Sequence, residues 1–316
     1  MYLIAGRSTC PVQVFADARL WVCIGLWFLL PASVIAQSQN RAFKETHSLR
    51  SRWELEDSLR NGTFLITPYR PVYVMPAVWS SSPNYSPQRT TEAVSPLPAP
   101  IPLNDVECKF QLSFKTKVVQ GLFNDKGDVW VAYTQSSRWQ LYNTDLSRAF
   151  RETNYEPEAF VAYPTKYRFL GFNGKFLALG LNHQSNGRGE PLRSSWNRIV
   201  AQVGLERGRC TLLLRPWLRI KEDESVDENP EINNYVGNGE FVLVYQHRSH
   251  VVSVQLRNSF ITDPFVGGSI QGDWSFTLSG NLKAHLQVFH GYGESMLDYN
   301  HLQSTVGIGI SLLEWL

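Results

Sequence analysis

The chain has 316 residues and a formal net charge of +2 at pH 7. This charge is too small to indicate nucleic-acid binding, so we expect no nucleic-acid partner. Of the residues, 43% are hydrophobic and 13% are aromatic, but beyond the N-terminal region they never form a second long apolar block. They recur at every second position instead, a pattern that fits a transmembrane β-barrel and also a soluble β-sandwich.

The N-terminal region contains a short apolar run at residues 21–35, which follows Arg19 and ends in small or apolar residues. This pattern predicts a secretory signal peptide over residues 1–36. A membrane anchor is the alternative, but the run is short for a spanning helix and Pro31 interrupts it.

A polar, mixed segment follows at residues 37–67, and we interpret it as an N-terminal periplasmic segment with a candidate short helix at 52–59. Residues 79–105 are rich in serine and proline, a composition that predicts a loop and not a regular strand.

Alternating strands then follow one another over residues 106–316, and we count eleven of them. Their connections are of two kinds. The short ones are 207–209, 247–250 and 279–281, and the long polar ones are 186–195, 221–233, 259–265 and 294–302. Short turns on one rim and long loops on the other are typical of an outer-membrane barrel, and a sandwich has no reason for this regularity.

The strand count needs one more member, because a bacterial barrel normally has an even number of strands. Residues 70–78 alternate in the same way, although Pro76 interrupts them, and we assign the twelfth strand there. The predicted fold is an all-β, twelve-stranded antiparallel transmembrane β-barrel over residues 68–316, located in the bacterial outer membrane.

Three polar residues stand at the ends of two apolar strand faces. His183 and Ser185 share a face with the leucines at 177, 179 and 181, and Asn197 begins the apolar face of the next strand. Serine needs a base to become a nucleophile, histidine is the natural base near neutral pH, and asparagine can orient the imidazole. These residues are either a hydrolytic triad that faces lipid or ordinary polar residues at the rim.

An acidic run at residues 221–231 also has two interpretations. It is either a solvated loop or a site for a hard cation such as Ca²⁺, which takes several oxygen ligands.

Four segments resemble the outer membrane phospholipase A family, whose members are calcium-dependent lipolytic barrels. They are NHQSNGR at 182–188 with SWNR at 195–198, FRETNYEP at 150–157, DENPEI at 227–232, and GYGES at 291–295 with LDYN at 297–300. The similarity runs in order over about residues 68–316 and is weakest in 37–105.

The resemblance implies a phospholipase A1/A2 that hydrolyses acyl esters of phospholipids and lysophospholipids, requires Ca²⁺ and becomes active as a homodimer. It implies that Ser185 is the nucleophile, His183 the base and Asn197 the residue that orients the base, all on the lipid-facing surface. Gly187 would offer a backbone N–H to the oxyanion.

The resemblance also assigns residues to the metal and to the dimer. The carbonyl of Arg188 would bind Ca²⁺, and Ser147 matches the position from which the second subunit contributes a carbonyl. Asp227 falls near the acid of a second, weaker calcium site. Gln135 matches a polar residue buried in the dimer interface.

One position departs from the family pattern. Arg193 occupies the place of a serine whose side chain binds calcium in the family, and Ser194 is the candidate that would take over this role. An arginine beside Ca²⁺ is electrostatically unfavourable, so the sequence also predicts a weakened calcium dependence.

Two alternatives to the enzyme remain open from the sequence. One is a family member that folds but is catalytically weakened by Arg193. The other is a non-enzymatic pore or structural barrel. The basic residues that would line its lumen are Arg215, Arg219, Arg257, Lys283 and His285.

Overall fold

The computed structural model of the chain describes residues 48–87, 99–223, 227–258 and 267–316. The predicted signal peptide at residues 1–36 lies outside the described residues. In the described part of the chain, no helix is both long enough and apolar enough to cross a membrane.

The described residues form fourteen β-strands. They are β1 (Ile66–Pro68), β2 (Val72–Ser80), β3 (Val106–Gly121), β4 (Gly127–Trp139), β5 (Phe150–Pro164), β6 (Arg168–Phe169), β7 (Phe172–Ser185), β8 (Ser195–Arg207), β9 (Cys210–Ile220), β10 (Gly239–His247), β11 (His250–Asn258), β12 (Ser269–Ser279), β13 (Leu282–Gly291) and β14 (Gln303–Leu313).

Twelve of these strands form one closed antiparallel barrel, to which the short β1 and β6 are appended. β2 pairs with β14, and β3 pairs with both β2 and β4, so the twelve strands close on themselves. The predicted twelve-stranded barrel is confirmed. Its first strand, β2, lies where the parity of the count required one. The β2–β3 register shifts between Met75 and Val78, at the proline that interrupts the alternation.

Within the described residues, helical structure is limited to short segments at the ends of the barrel. α1 is Leu49–Arg52, α2 is the turn Leu122–Asp125, α3 is Ile232–Val236, and a single 3₁₀ turn covers Asp57–Leu59. The candidate short helix at 52–59 is therefore wrong. α1 ends at Arg52, Glu54 takes a left-handed backbone conformation, and only the 3₁₀ turn lies in the second half of this range.

The connections alternate in length as the sequence predicts. β8–β9, β10–β11 and β12–β13 are joined by tight turns, whereas long connections follow β7, β9 and β13. The predicted loop at 259–265 lies outside the described residues. His183, Ser185 and Asn197 therefore stand at the rim that carries the long loops.

The outer surface of the barrel is apolar because every second side chain of each strand points outward. Large exposed hydrophobic residues on the strands include Leu112, Phe114, Leu177, Leu179, Leu181, Ile199, Leu218, Trp274, Val288 and Ile308. This band is the surface that contacts lipid.

The interior is polar and is filled by paired charges. Glu156 contacts Arg70 and Arg198 at 3.1 and 3.0 Å, and Glu158 contacts Arg70 and Arg215 at 3.2 and 2.8 Å. All five side chains are largely buried, and pairing is what makes the burial of charge tolerable.

The N-terminal segment that contains α1 packs into the short-turn end of the lumen. Trp53 stacks on Phe176 with ring centroids 4.1 Å apart, and the ammonium of Lys115 lies 3.6 Å from the Trp53 ring. Leu49 is completely buried in the same cluster. This apolar layer closes one end of the barrel.

Two of the basic residues named for a pore, Arg215 and Arg257, border a cavity in the lumen. The cavity that Arg215 and Arg257 line has a volume of about 130 Å³, room for a few water molecules. Arg215 and Arg219 face inward as the pore hypothesis requires, but they are paired with Glu158 and Asp227. The interior is built as a packed ionic core, which argues against a pore.

Candidate active site

His183 and Asn197 face each other across β7 and β8. His183 Nδ1 lies 2.8 Å from Asn197 Oδ1. An amide oxygen can only accept a hydrogen bond, so Nδ1 carries the proton and Nε2 is the basic nitrogen of the ring. This is the tautomer that a histidine needs to act as a general base through Nε2.

Ser185 follows two residues after His183 and therefore shares its face of β7. It stands opposite Ser195 on β8 and opposite Tyr155 on β5. The structure thus places the three predicted triad residues on two adjacent strands, with His183 and Asn197 in contact.

The shared face points to the outside of the barrel. Leu179 and Leu181, which precede His183 on this face, are each 60% exposed, and His183 itself is exposed. The side chains between them alternate inward, and Asn182 is buried. The His183–Asn197 pair therefore borders the lipid-facing surface and not the lumen.

Gly187 is the second residue of the loop after Ser185 and has a backbone conformation that favours glycine. Its φ is +63°, and a Cβ at this position would lie 2.8 Å from Cε2 of Tyr155. Because only glycine takes such an angle without strain, the close approach of this backbone to the Tyr155 ring depends on the missing side chain.

Arg188 anchors the same loop through its side chain. Its guanidinium donates to the carbonyls of Phe150 and Arg151, the first at 3.0 Å, and lies 3.7 Å from the carboxylate of Glu152. Its backbone N–H donates to Asn186 Oδ1 at 3.2 Å. The arginine fixes the course of the loop that leaves the Ser185 strand.

Arg193 occupies the position where a calcium-binding serine was expected, and it is paired there with two acidic side chains. Its Nε contacts the carboxylate of Glu228 and lies 3.4 Å from that of Glu190. Glu228 also accepts a hydrogen bond from Ser195 Oγ at 3.3 Å. The guanidinium therefore neutralises two acids beside the Ser185–Ser195 pair.

Ser194 and Asp227 are engaged elsewhere. Ser194 is buried, and its hydroxyl accepts from Asn229 Nδ2 at 3.2 Å. Asp227 accepts from Arg219 at 2.6 Å and from the backbone N–H of Asn229 at 3.1 Å. The Ser194 hydroxyl and Oδ1 of Asp227 thus take part in holding the loop structure.

Ser147 and Gln135 lie on a different part of the barrel wall. Gln135 is on β4 and Ser147 is in the exposed loop between β4 and β5, so β5 separates both from β7. Gln135 is hydrogen-bonded to its own strand, accepting from Tyr133 Oη at 3.0 Å and donating to Ser137 Oγ at 3.3 Å.

Among residues 48–87, 99–223, 227–258 and 267–316, no group of three or more His, Cys, Asp or Glu side chains is arranged to hold a metal ion. In a single chain the acids near the Ser185 loop are instead occupied by Arg193 and Arg219.

Glu222 is a neighbour of the triad that the sequence interpretation did not single out. Its Oε1 lies 3.0 Å from Asn197 Nδ2. The acidic run at 221–231 was the available signal, but periodicity does not reveal which of its acids turns back toward β8.

The fold and the outward His183–Asn197 pair identify the class of protein as an outer-membrane β-barrel with a cluster of polar side chains at its lipid-facing rim. Comparison with known proteins then gives the family. A family profile described as Phospholipase A1 matches residues 49–312. The putative phospholipase A1 of Neisseria meningitidis serogroup B is 39% identical over 266 residues, which cover 82% of this chain and 68% of that protein.

Two further relatives agree. The phospholipase A1 of Klebsiella pneumoniae is 34% identical over 292 residues, 92% of this chain and 96% of that protein. The crystal structure of the Salmonella typhi outer membrane phospholipase dimer with bound calcium superposes with a TM-score of 0.74 at 31% identity. It covers 85% of this chain and all of that one. The chain therefore belongs to the phospholipase A1 family of outer-membrane enzymes, and the resemblance stated from its motifs is confirmed.

Proposed function

We propose that the chain hydrolyses acyl ester bonds of phospholipids and lysophospholipids with Ser185, His183 and Asn197 as its catalytic triad. The observation that carries this proposal is the 2.8 Å contact between His183 Nδ1 and Asn197 Oδ1 on the lipid-facing surface, beside Ser185. A hydrolytic site that faces hydrocarbon suits a substrate whose reservoir is the membrane itself.

The reaction proceeds through an acyl-enzyme. Ser185 Oγ attacks the ester carbonyl while its proton passes to His183 Nε2. The tetrahedral intermediate then breaks the ester C–O bond, and His183 returns the proton to the departing alcohol. Water, deprotonated by His183, attacks the acyl-enzyme, and the fatty acid leaves as Ser185 recovers its proton.

The negative oxygen of the tetrahedral intermediate needs a donor. The backbone N–H of Gly187 is our candidate, because Gly187 lies two residues beyond Ser185 and its loop is held by Arg188. A preorganised backbone donor of this kind stabilises the transition state at no cost of reorientation.

Calcium and a second subunit enter the proposal from the Salmonella typhi relative, which is a dimer with bound calcium. When bound, calcium would supply positive charge that stabilises the developing oxyanion. The candidate ligands are the Arg188 carbonyl and the Ser147 carbonyl of a second copy, and Gln135 would lie in the interface between the copies.

The side chains of this chain fit the metal poorly. Arg193 holds Glu190 and Glu228, Ser194 is bonded to Asn229, and Asp227 is bonded to Arg219. Ser194 and Asp227 are thus both engaged within the loop, and the guanidinium of Arg219 offsets the negative charge of Asp227. We accordingly propose that calcium activates this enzyme more weakly than its relatives that carry a serine at the position of Arg193.

The test replaces Ser185 with alanine and measures fatty-acid release from a phosphatidylcholine in mixed micelles with the full-length protein. We expect activity to fall by at least about a thousandfold. Ser304→Ala is the matched control, because Ser304 lies 2.8 Å from another outward histidine, His290, on the same barrel. Retained activity of Ser185→Ala, or equal loss in Ser304→Ala, would contradict the proposal.

A further inference from the structure

Glu222 closes a chain of side chains that begins at His183. His183 Nδ1 contacts Asn197 Oδ1 at 2.8 Å, and Asn197 Nδ2 contacts Glu222 Oε1 at 3.0 Å. We propose that Glu222 is a positioning residue for the catalytic histidine and acts through the amide of Asn197. The inference rests on the proposed triad and adds a fourth member to it.

The backbone register places Glu222 within reach of the amide. Asn197 pairs with Ile220, the last residue of β9, so the chain leaves the sheet directly beside Asn197. Glu222 is the second residue after that exit. Its carboxylate can therefore reach Asn197 on β8 while residues 221–223 stay close to the sheet.

The contact decides which end of the amide faces the histidine. Asparagine can present either its oxygen or its nitrogen to His183, and only the oxygen selects the tautomer with a basic Nε2. A carboxylate accepts hydrogen bonds and donates none, so Glu222 holds the nitrogen and leaves the oxygen for His183. An amide without this partner can turn over and place a donor against the Nδ1 proton.

The contact also supplies a charge that the triad lacks. Asparagine is neutral, yet the imidazole becomes positive when it takes the proton of Ser185. A carboxylate bonded to the far side of the amide polarises it and makes its oxygen a stronger acceptor. At a surface that borders hydrocarbon, where screening by water is reduced, such a charge has more effect than in bulk solvent.

The test is a set of four variants of the full-length protein in micelles. Glu222→Gln keeps the size of the side chain and removes the charge, and we expect kcat to fall about tenfold with KM unchanged. Asn197→Asp places two carboxylates side by side and removes the amide donor. We expect the kcat of this variant to fall about a hundredfold.

The decisive variant is the double substitution Asn197→Asp with Glu222→Gln. The amide nitrogen introduced at position 222 can donate to the new aspartate, which then orients His183 with its own charge. We expect the kcat of the double variant to be at least about tenfold higher than that of Asn197→Asp alone. A role limited to folding of the loop predicts no such recovery.

Asp223→Asn is the matched control, because it removes the same charge from the next, exposed residue. We expect it to retain wild-type kcat. The inference fails if the double variant is no more active than Asn197→Asp, or if Asp223→Asn and Glu222→Gln lose the same activity. Full activity of Ser185→Ala would instead overturn the triad itself, so the two failures are distinguishable.

Discussion

Ser195 donates its hydroxyl to Glu228 at 3.3 Å and stands directly opposite Ser185 across β7 and β8. The second oxygen of Glu228 contacts Arg193. The Arg193 guanidinium is thereby connected, through the carboxylate of Glu228, to Ser195, the residue that faces the proposed nucleophile. The family resemblance puts a calcium ligand at this point of the loop, and here the sequence provides a cation instead.

We predict that Arg193→Ser lowers the calcium concentration for half-maximal activity by about tenfold, because it removes a competing positive charge and frees two carboxylates. Calcium titration of fatty-acid release measures the change in activity. Calorimetric titration of the full-length protein with calcium measures binding independently of turnover.

Arg193→Lys serves as the control for this prediction, since it keeps the positive charge between Glu190 and Glu228. We expect its calcium dependence to remain that of the wild type. If Arg193→Ser and wild type bind calcium equally well, the guanidinium does not compete with the metal and the predicted weakening is wrong.

Gly187 is the second position where the loop geometry can be tested. Gly187→Ala forces a side chain onto a backbone with φ of +63° and into the ring of Tyr155, 2.8 Å away. The backbone N–H proposed for the oxyanion must then move. We expect kcat to fall by about a hundredfold, measured as fatty-acid release from the same micelles.

The same loop contains a suitable control in Gly189. A Cβ at Gly189 meets nothing within 4 Å, and its φ is outside the left-handed region. Gly189→Ala should therefore keep wild-type activity. Comparable activity in Gly187→Ala and Gly189→Ala would remove Gly187 from the oxyanion site.

Period-two alternation predicted the strands, and the regular exchange of short turns and long loops then favoured a barrel over a sandwich. One side of each strand contacts hydrocarbon and the other contacts the polar lumen. A run such as residues 177–185 therefore indicates both that the segment is a strand and which of its side chains face lipid. The same constraint placed His183 and Asn197 on one surface. The twelfth strand, β2, followed from the expectation of an even strand count, even though Pro76 disturbs its pattern.

Contacts made by irregular segments could not be obtained in this way. The N-terminal segment has no periodicity, and its position inside the barrel depends on Trp53 finding Phe176, more than a hundred residues away. The partners of Glu222 and Glu228 likewise depend on how a long loop folds back on β8. Composition showed an acidic run but not which acid meets which donor.

Asp298 shows how charge holds the outer loops in place. It lies in the connection between β13 and β14 and is fully buried. Its carboxylate accepts from Arg151 at 2.8 Å, from Ser295 Oγ at 2.7 Å and from Asn84 at 3.2 Å. Burial alone would raise the pKa of Asp298, but Arg151 and Ser295 outweigh it and lower the pKa to about 2.

A carboxyl group whose pKa is lowered by folding stabilises the protein at pH values above the pKa that the group has in the unfolded chain, near 3.9. This stability is lost as the pH falls through about 2, the pKa of folded Asp298. Asp298→Asn should therefore cost about 2 kcal/mol at pH 7 and progressively less below pH 4. Urea unfolding of both proteins between pH 7 and pH 2 measures the difference. A difference that stays constant over this range would show that the Asp298 charge does not stabilise the loops.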